Sequence, residues 1–342
     1  MRRLMAVVAL AAAGCPASTP SRTTALIDPA LSDRDDASGR LARELEGEVL
    51  ASYQRATLDP AAAAAVIDPS VGLVAIGVGP TDLAAGQAPV NRWPVASVGG
   101  APVRVVSRAL EVHVAADESL GWSYDEVTLE LPVCGRTAAI PLRAFQVYAR
   151  DADRWTLVAE HLAYAQSMGR WLDAAVRPDG SRLPEAIERE VGAQAARDAL
   201  ATAVAPDGDR AATWDASSAA LAVWPDPLQV LRATATVAGP SLAASLDASA
   251  LAVDGLRLAL SGSRQAAVAS ATLAARVGRA DGQPVDVRLR ATFVLEVGRG
   301  GAWRVRAAMV SVPITAGALV GRTVGSSATM TQDGAATVAC TP

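Results

Sequence analysis

Residues 142–161 read LRAFQVYARDADRWTLVAEH, and residues 289–309 read LRATFVLEVGRGGAWRVRAAM. Each stretch opens on Leu-Arg, alternates apolar with other residues, breaks at a turn signal and resumes on Trp with a second alternating run. This is the pattern of two antiparallel strands joined by a tight turn. Leu142 to Trp155 is 13 residues and Leu289 to Trp303 is 14, the extra residue falling in the turn, DADR against GRGGA. Hairpin tips accept insertions because little of their backbone is buried. The registration continues outward: Leu110 to Trp122 and Leu256 to Val268 are both 12 residues. The two stretches therefore mark an internal duplication.

Around the first hairpin, Leu41, Leu45, Val49 and Tyr53 recur at every fourth residue and predict a helix over 39–57. Asp59-Pro60 stops it and opens a second, Ala-rich helix ending near Asp68-Pro69. VGLVAIGVGP (71–80) reads as a short apolar strand, and GPTDLAAGQAPVNRW (79–93) as a short helix with Thr81 or Asp82 near its start. Strands follow at 103–114, 120–133, 138–149 and 154–165, separated by turn signals. The order returns from Pro184: a helical run over 184–204, then 209–224, a short strand in 226–237, a helix at 240–250, and strands to about residue 314. The expected class is α+β, with helices on one face of a strongly curved antiparallel sheet, present twice.

A chain of 342 residues exceeds the usual single-domain size, in keeping with two domains. Aromatic residues make up only 4%, so the cores must rest on Val, Leu, Ala and the seven Trp. The net charge is −4 and every basic residue is Arg; nothing in that balance favours a nucleic-acid partner. The N-terminus carries a basic MRR, an apolar LMAVVALAAA and small residues before a Cys, the organisation of an export signal. The apolar run is about half the ~20 residues that span a bilayer. Gly14-Cys15 resembles the end of a bacterial lipoprotein signal, which implies acylation of Cys15, a membrane anchor and a place in the cell envelope; the alternative is simple secretion. Ala12 departs from that pattern, where Leu is preferred. Residues 1–15 are then the signal, 16–38 a polar linker, 39–175 and 184–315 the two domains, and 316–342 a tail that loosens towards its end.

Cys134 and Cys340 remain after processing. Neither has a metal-binding spacing, and an exported chain permits a disulfide between them, with two unpaired thiols as the other reading. DRDDASGRLARE (33–44) approaches calcium-loop spacing but places Ser38 where Gly is needed. With two His in the chain, a multi-His metal centre is excluded. Nucleophile-elbow, zinc-protease, P-loop and dinucleotide fingerprints are missing from the sequence, so neither metal nor cofactor is expected.

Residues 40–170 resemble a SnoaL-like domain of the nuclear transport factor 2-like superfamily. The resemblance is carried by VGLVAIGVGPTDLAAGQAPV (71–90), GWSYDEVTLE (121–130) and LRAFQVYARDADRWTLVAEH. Residues 184–315 resemble the same fold more weakly, through the last two strands and the helix order. The resemblance implies a cone of three helices against a bent sheet, a fold that serves enzymes, binding modules and oligomerisation domains alike. Such domains often associate through the exposed sheet face. A tandem copy satisfies that surface within one chain, which favours a monomeric pseudo-dimer over a homodimer.

Strict alternation along the last strand of the first copy puts Trp155, Leu157, Ala159 and His161 on one face, against Trp303, Val305, Ala307 and Met309 in the second. A titratable ring has become a thioether. Trp122 and Tyr124 share a face of their strand, with small or apolar counterparts near Val268 to Ala271; Gln146 and Tyr148 are replaced by Phe293 and Leu295. Trp122, Tyr124, Gln146, Tyr148 and His161 are therefore the candidate ligand site, in the first copy, for a small apolar or cyclic molecule. Arg143 is kept as Arg290 and reads as structural, with Asp125 or Glu160 as salt-bridge partner, and Trp155 and Trp303 as core. His113 reads as an exposed strand residue. The favoured function is a non-catalytic binding or interaction role. The alternatives are a small-molecule isomerase, dehydratase or hydrolase using His161 and Tyr124, and a scaffold without a pocket.

Overall fold

The computed structural model describes residues 37–58, 73–79, 82–86, 93–94, 97–166, 182–183, 186–187, 191–209, 213–215, 220–233, 241–278, 282–314, 316–324, 328–330 and 335–338. The signal segment with Cys15, nearly all of the linker, and the second Ala-rich helix expected after Asp59-Pro60 lie outside them. Asp35–Pro342 form one compact unit.

Helix α1 (Ala37–Leu58) forms where the four-residue spacing predicts it and buries Leu41, Leu45, Val49 and Tyr53. It packs on a sheet made of β1 (Val74–Ile76), β2 (Leu83–Ala85), β5 (Arg104–Ser107), β6 (Glu111–Val114), β7 (Leu120–Val133), β8 (Arg136–Asp151) and β9 (Arg154–Ala163), mainly on β5, β6 and β7; β3 (Ser97–Val98) and β4 (Ala101–Pro102) belong to a smaller sheet. The strand order is β2-β1-β9-β8-β7-β5, with β6 also on β7, and only β1 against β9 is parallel. Helix and sheet approach closely at Gly121, where an added Cβ would run into the Leu45 side chain and press on Trp155. The short helix expected at 79–93 is instead, in its described part, the β1–β2 hairpin. Asp82 closes the turn: its Oδ2 accepts from Gly79 N at 2.8 Å and its carbonyl from Gly77 N at 2.7 Å.

The second half repeats this path. It comprises β10 (Ala186–Ile187), α2 (Val191–Val204), β11 (Ala220–Val223), β12 (Val230–Ala233), α3 (Leu242–Leu246), β13 (Ala248–Leu260), β14 (Ala266–Gly278), β15 (Pro284–Val297) and β16 (Trp303–Ser311), in the order β10-β13-β14-β15-β16-β11-β12. Here β11 runs parallel to β16 as β1 does to β9. The helical run expected from Pro184 starts later, since Ala186 and Ile187 pair as a strand with β13. Ser241 caps α3, its hydroxyl accepting from Ala244 N at 3.1 Å.

The described parts of residues 316–342 are built into the fold, where the sequence suggests a tail that loosens towards its end. Helix α4 (Ala316–Val324) and strands β17 (Ala328–Met330) and β18 (Ala335–Val338) return to the first half, where β18 pairs with β3 in a sheet ordered β17-β18-β3-β4. Leu319, Val320 and Ala336 enter the same apolar cluster as Leu41, Leu45 and Leu129. Such apolar residues, spaced too sparsely to announce a helix, are buried because the first core needs them. Cys134, at the β7–β8 turn with φ +50, is disulfide-bonded.

Three clusters organise the unit. One lies between α1 and the concave face of the first sheet, one between α2, α3 and the concave face of the second, and the third joins the two sheets through their opposite faces. The last holds Trp122, Tyr124, Phe145, Val147 and Ala159 from the first half, and Leu221, Val223, Val268, Val294, Ala307 and Met309 from the second.

Candidate functional site

The faces of β9 are not those of a regular strand. Tyr148 pairs with Leu157, but Val147 pairs with Ala159, leaving Val158 as an unpaired extra residue. Such a bulge reverses which face later residues occupy. Trp155 and Leu157 pack on the concave side, whereas Ala159 and Ala163 pack between the sheets. His161 therefore leaves the concave face that strict alternation assigned to it, and Glu160 takes its place. The second half bulges at the equivalent point, Leu295 pairing with Val305 and Val294 with Ala307, so Met309 moves in the same way.

The sequence-predicted candidates thus divide into two groups. Gln146 and Tyr148 face the concave interior. Trp122, Tyr124 and His161 lie on the other face, sealed against the second sheet. His161 Nε2 shares a hydrogen bond with Ser311 Oγ at 2.7 Å, and its Nδ1 has no partner among the described residues. Burial, then the nearby Arg290 cation, push its pKa down to about 3, so the ring is neutral. Tyr124 donates to Glu126 Oε1 at 3.3 Å, and burial raises its pKa. Trp122 stacks on His113, ring centroids 5.4 Å apart. His113 is accordingly half-buried rather than exposed, and burial lowers its pKa. His161 and Tyr124 thus have separate partners, Ser311 and Glu126, on the buried face between the sheets.

The concave interior is built by register. Ser123 pairs with Gln146 and Gln146 with Glu160, giving a polar row across β7, β8 and β9; Asp125 lies two residues beyond Ser123 on the same side. Gln146 Nε2 donates to Glu160 Oε1 at 2.7 Å, and Tyr148 Oη donates to Gln146 Oε1 at 2.9 Å. Ser123 Oγ, fully buried, has no hydrogen-bond partner among the described residues. Asp125 Oδ1 accepts from Ala109 N at 3.0 Å and Arg108 N at 3.3 Å. Burial raises the Asp125 pKa, opposed by hydrogen bonds that include the Ser107 and Tyr53 hydroxyls.

The second sheet supplies a comparison inside the same molecule. Its register puts Ala269, Phe293 and Ala308 where the first has Ser123, Gln146 and Glu160, and Ala271 and Leu295 where the first has Asp125 and Tyr148. Five polar side chains become five apolar ones, and the site therefore includes Ser123, Asp125 and Glu160, which the sequence reading did not select. Comparing the copies at every concave position would have found Ser123 and Asp125; Glu160 was hidden by the bulge.

Arg143 and Arg290 neither pair with Asp125 or Glu160 nor enter the interior. Arg143 donates to the carbonyls of Trp224, Asp226 and Pro227 at 2.8, 3.1 and 2.7 Å. Arg290 donates to the carbonyls of Gly79 and Asp82 at 2.7 and 3.1 Å, and to Gly77 at 3.4 Å. Each arginine thus caps the first hairpin turn of the opposite half, at corresponding positions. Gln166 N donates to Pro225 O at 2.9 Å, as Ile314 N does to Val78 O at 2.6 Å. These bonds run reciprocally between the two halves. Trp155 and Trp303 lie in the first and second concave cores.

No family model and no curated protein matches the chain. Among solved structures, it is similar to a Xanthomonas campestris protein described as a calcium/calmodulin dependent protein kinase II association domain, at 18% identity and TM-score 0.30, over 38% of this chain and 94% of the other. A nuclear transport factor 2-like superfamily protein from Salmonella enterica is similar at 18% identity and TM-score 0.28, over 35% and 87%. A Shewanella frigidimarina protein described as a ketosteroid isomerase is similar at 17% identity and TM-score 0.24, over 29% and 76%.

Proposed function

We propose that this chain is an exported envelope protein, anchored through a lipid on Cys15, whose first SnoaL-like domain (39–175) binds a small molecule on the concave face of its sheet. The duplicated second domain (184–315) is its structural partner, and the chain acts as a monomer because the sheet face used for pairing is occupied internally. One observation carries the binding reading: the polar set Ser123, Asp125, Gln146, Tyr148 and Glu160 in one half, against Ala269, Ala271, Phe293, Leu295 and Ala308 in the other. Burying polar groups is costly unless they are fully hydrogen-bonded, and apolar replacement is often neutral or stabilising. The second half builds the same sheet without them, so the fold does not require them. A ligand with a polar end and an apolar body suits the row of acceptors and donors beside Leu157, Leu162 and Trp155.

The experiment is a thermal-shift screen of the soluble protein starting at Pro16 over small cyclic and acyl metabolites, wild type against Gln146→Phe/Tyr148→Leu/Glu160→Ala. A compound that stabilises the wild type and not the triple variant supports the reading. Silence in both across the library, with the triple variant unfolded, removes it and leaves the polar row a structural feature.

A second reading, acid–base catalysis in the same interior, rests on Asp125, a buried carboxyl whose pKa burial raises. Turnover of a bound compound that Asp125→Asn abolishes, with binding retained, would support it; unchanged turnover would exclude it.

A further inference from the structure

Cys134 is disulfide-bonded, and the chain has three cysteines, so its partner is Cys15 or Cys340. The surroundings of Cys134 choose between them. It sits in the turn that joins β7 to β8, directly after Val133, which is buried in the first core. Strand β18 ends at Val338, and Val338 packs on the cluster that contains Val133. Cys340 follows two residues later. The returning strand β18 pairs with β3, and β3 lies against β7, the strand whose end leads into Cys134.

We propose that Cys134 is joined to Cys340, and that the bond latches the returning C-terminal segment to the first half. Each thiol gives up its proton, one S–S bond forms, and the two electrons pass to a disulfide donor, which leaves as a dithiol. The segment held in this way supplies Leu319, Val320 and Ala336 to the first core and pairs β18 with β3. The latch thus closes a loop around the whole second half, and the first half's core is completed by residues from the far end of the chain. It also leaves the Cys15 thiol available for acylation. Disulfide donors act outside the reducing cytoplasm, so the same bond gives the fold an oxidising address. None of this depends on the ligand-binding reading.

The test is peptide mapping, under non-reducing conditions with free thiols blocked, of the full-length protein isolated from the envelope fraction of a bacterial host. The expected result is a Cys134–Cys340 peptide pair that separates on reduction with the gain of two hydrogens. A Cys15-linked peptide, or alkylation of both Cys134 and Cys340 without reduction, overturns the proposal. Cys340→Ser provides the second arm: the Cys134 thiol becomes alkylatable, and the C-terminal segment is cut faster in limited proteolysis while the second half keeps its wild-type resistance. A Cys340→Ser protein in which Cys134 remains blocked as a disulfide within the monomer also overturns it.

Discussion

The bridge between His161 and Ser311 offers a sharp test of how the two sheets are joined. The matched strand registers place Met309 and Ala163 at the positions corresponding to this pair, so His161→Met/Ser311→Ala copies onto one side of the interface what the protein already uses on the other. In the folded state the ring titrates near 3, against about 6.5 in an unfolded chain. A histidine held below its unfolded pKa contributes most above pH 6.5, and that contribution is lost as pH falls towards the folded value, because the unfolded chain binds the proton and the folded one does not. Integrated between pH 7 and pH 5, the linkage relation takes about 2 kcal/mol from the wild type through this residue alone. His161 is wholly buried, so solvent screening does not reduce the figure. At pH 7 the double variant loses one neutral hydrogen bond, worth about 1 kcal/mol, and also removes a buried ring nitrogen that has no partner among the described residues. It should be within about 1 kcal/mol of the wild type. Urea unfolding of both proteins at pH 7 and pH 5 isolates the difference, since the carboxylates titrate in each. The wild type should lose about 2 kcal/mol more than the variant over that interval. Equal losses would refute a neutral, sealed His161.

Arg143→Lys should destabilise by about 1–3 kcal/mol, because an ammonium cannot hold three carbonyls in the guanidinium fork; Arg290→Lys should cost a similar amount in a chemical denaturation series. If both are neutral, the reciprocal clasp does not join the halves. Glu160→Ala alone strands the Gln146 amide and should cost about 1–3 kcal/mol in urea unfolding. Gln146→Phe/Tyr148→Leu/Glu160→Ala removes these donors together with their acceptors and should cost less than the single change; a larger cost would make the polar row a requirement of the fold. Gly121→Ala places a methyl against Leu45 and should cost about 1–3 kcal/mol through overpacking, visible as a lowered thermal midpoint; no change would mean that α1 does not press on the sheet there.

Much of the architecture is legible because it is local. The four-residue spacing of Leu41 to Tyr53 specifies α1, alternation specifies β8, β9, β15 and β16, and the matched spacings expose two sheets of the same order. The Gly-rich stretch before Asp82 was misread as a helix start because an acid after a turn suits either; tertiary pairing with Val74 to Ile76 decides for a strand. The candidate site is half legible: Gln146 and Tyr148 share the face that alternation gives them, while the bulge exchanges the faces of Glu160 and His161.

From sequence alone came the α+β class, the matched spacings of the two halves, and the fact that polar residues in the first become apolar in the second. Only the tertiary structure decided which face carries that difference, since a bulge adds one residue without altering composition, and Val158 looks like any other strand residue. It alone paired Arg143 and Arg290 with turns 81 to 213 residues away, and brought Leu319, Val320 and Ala336 back to the first core. Such contacts form because buried carbonyls need donors and an incomplete core needs apolar cover. Both demands are met in space, by whichever part of the chain arrives there, and periodicity along the chain carries no record of that meeting.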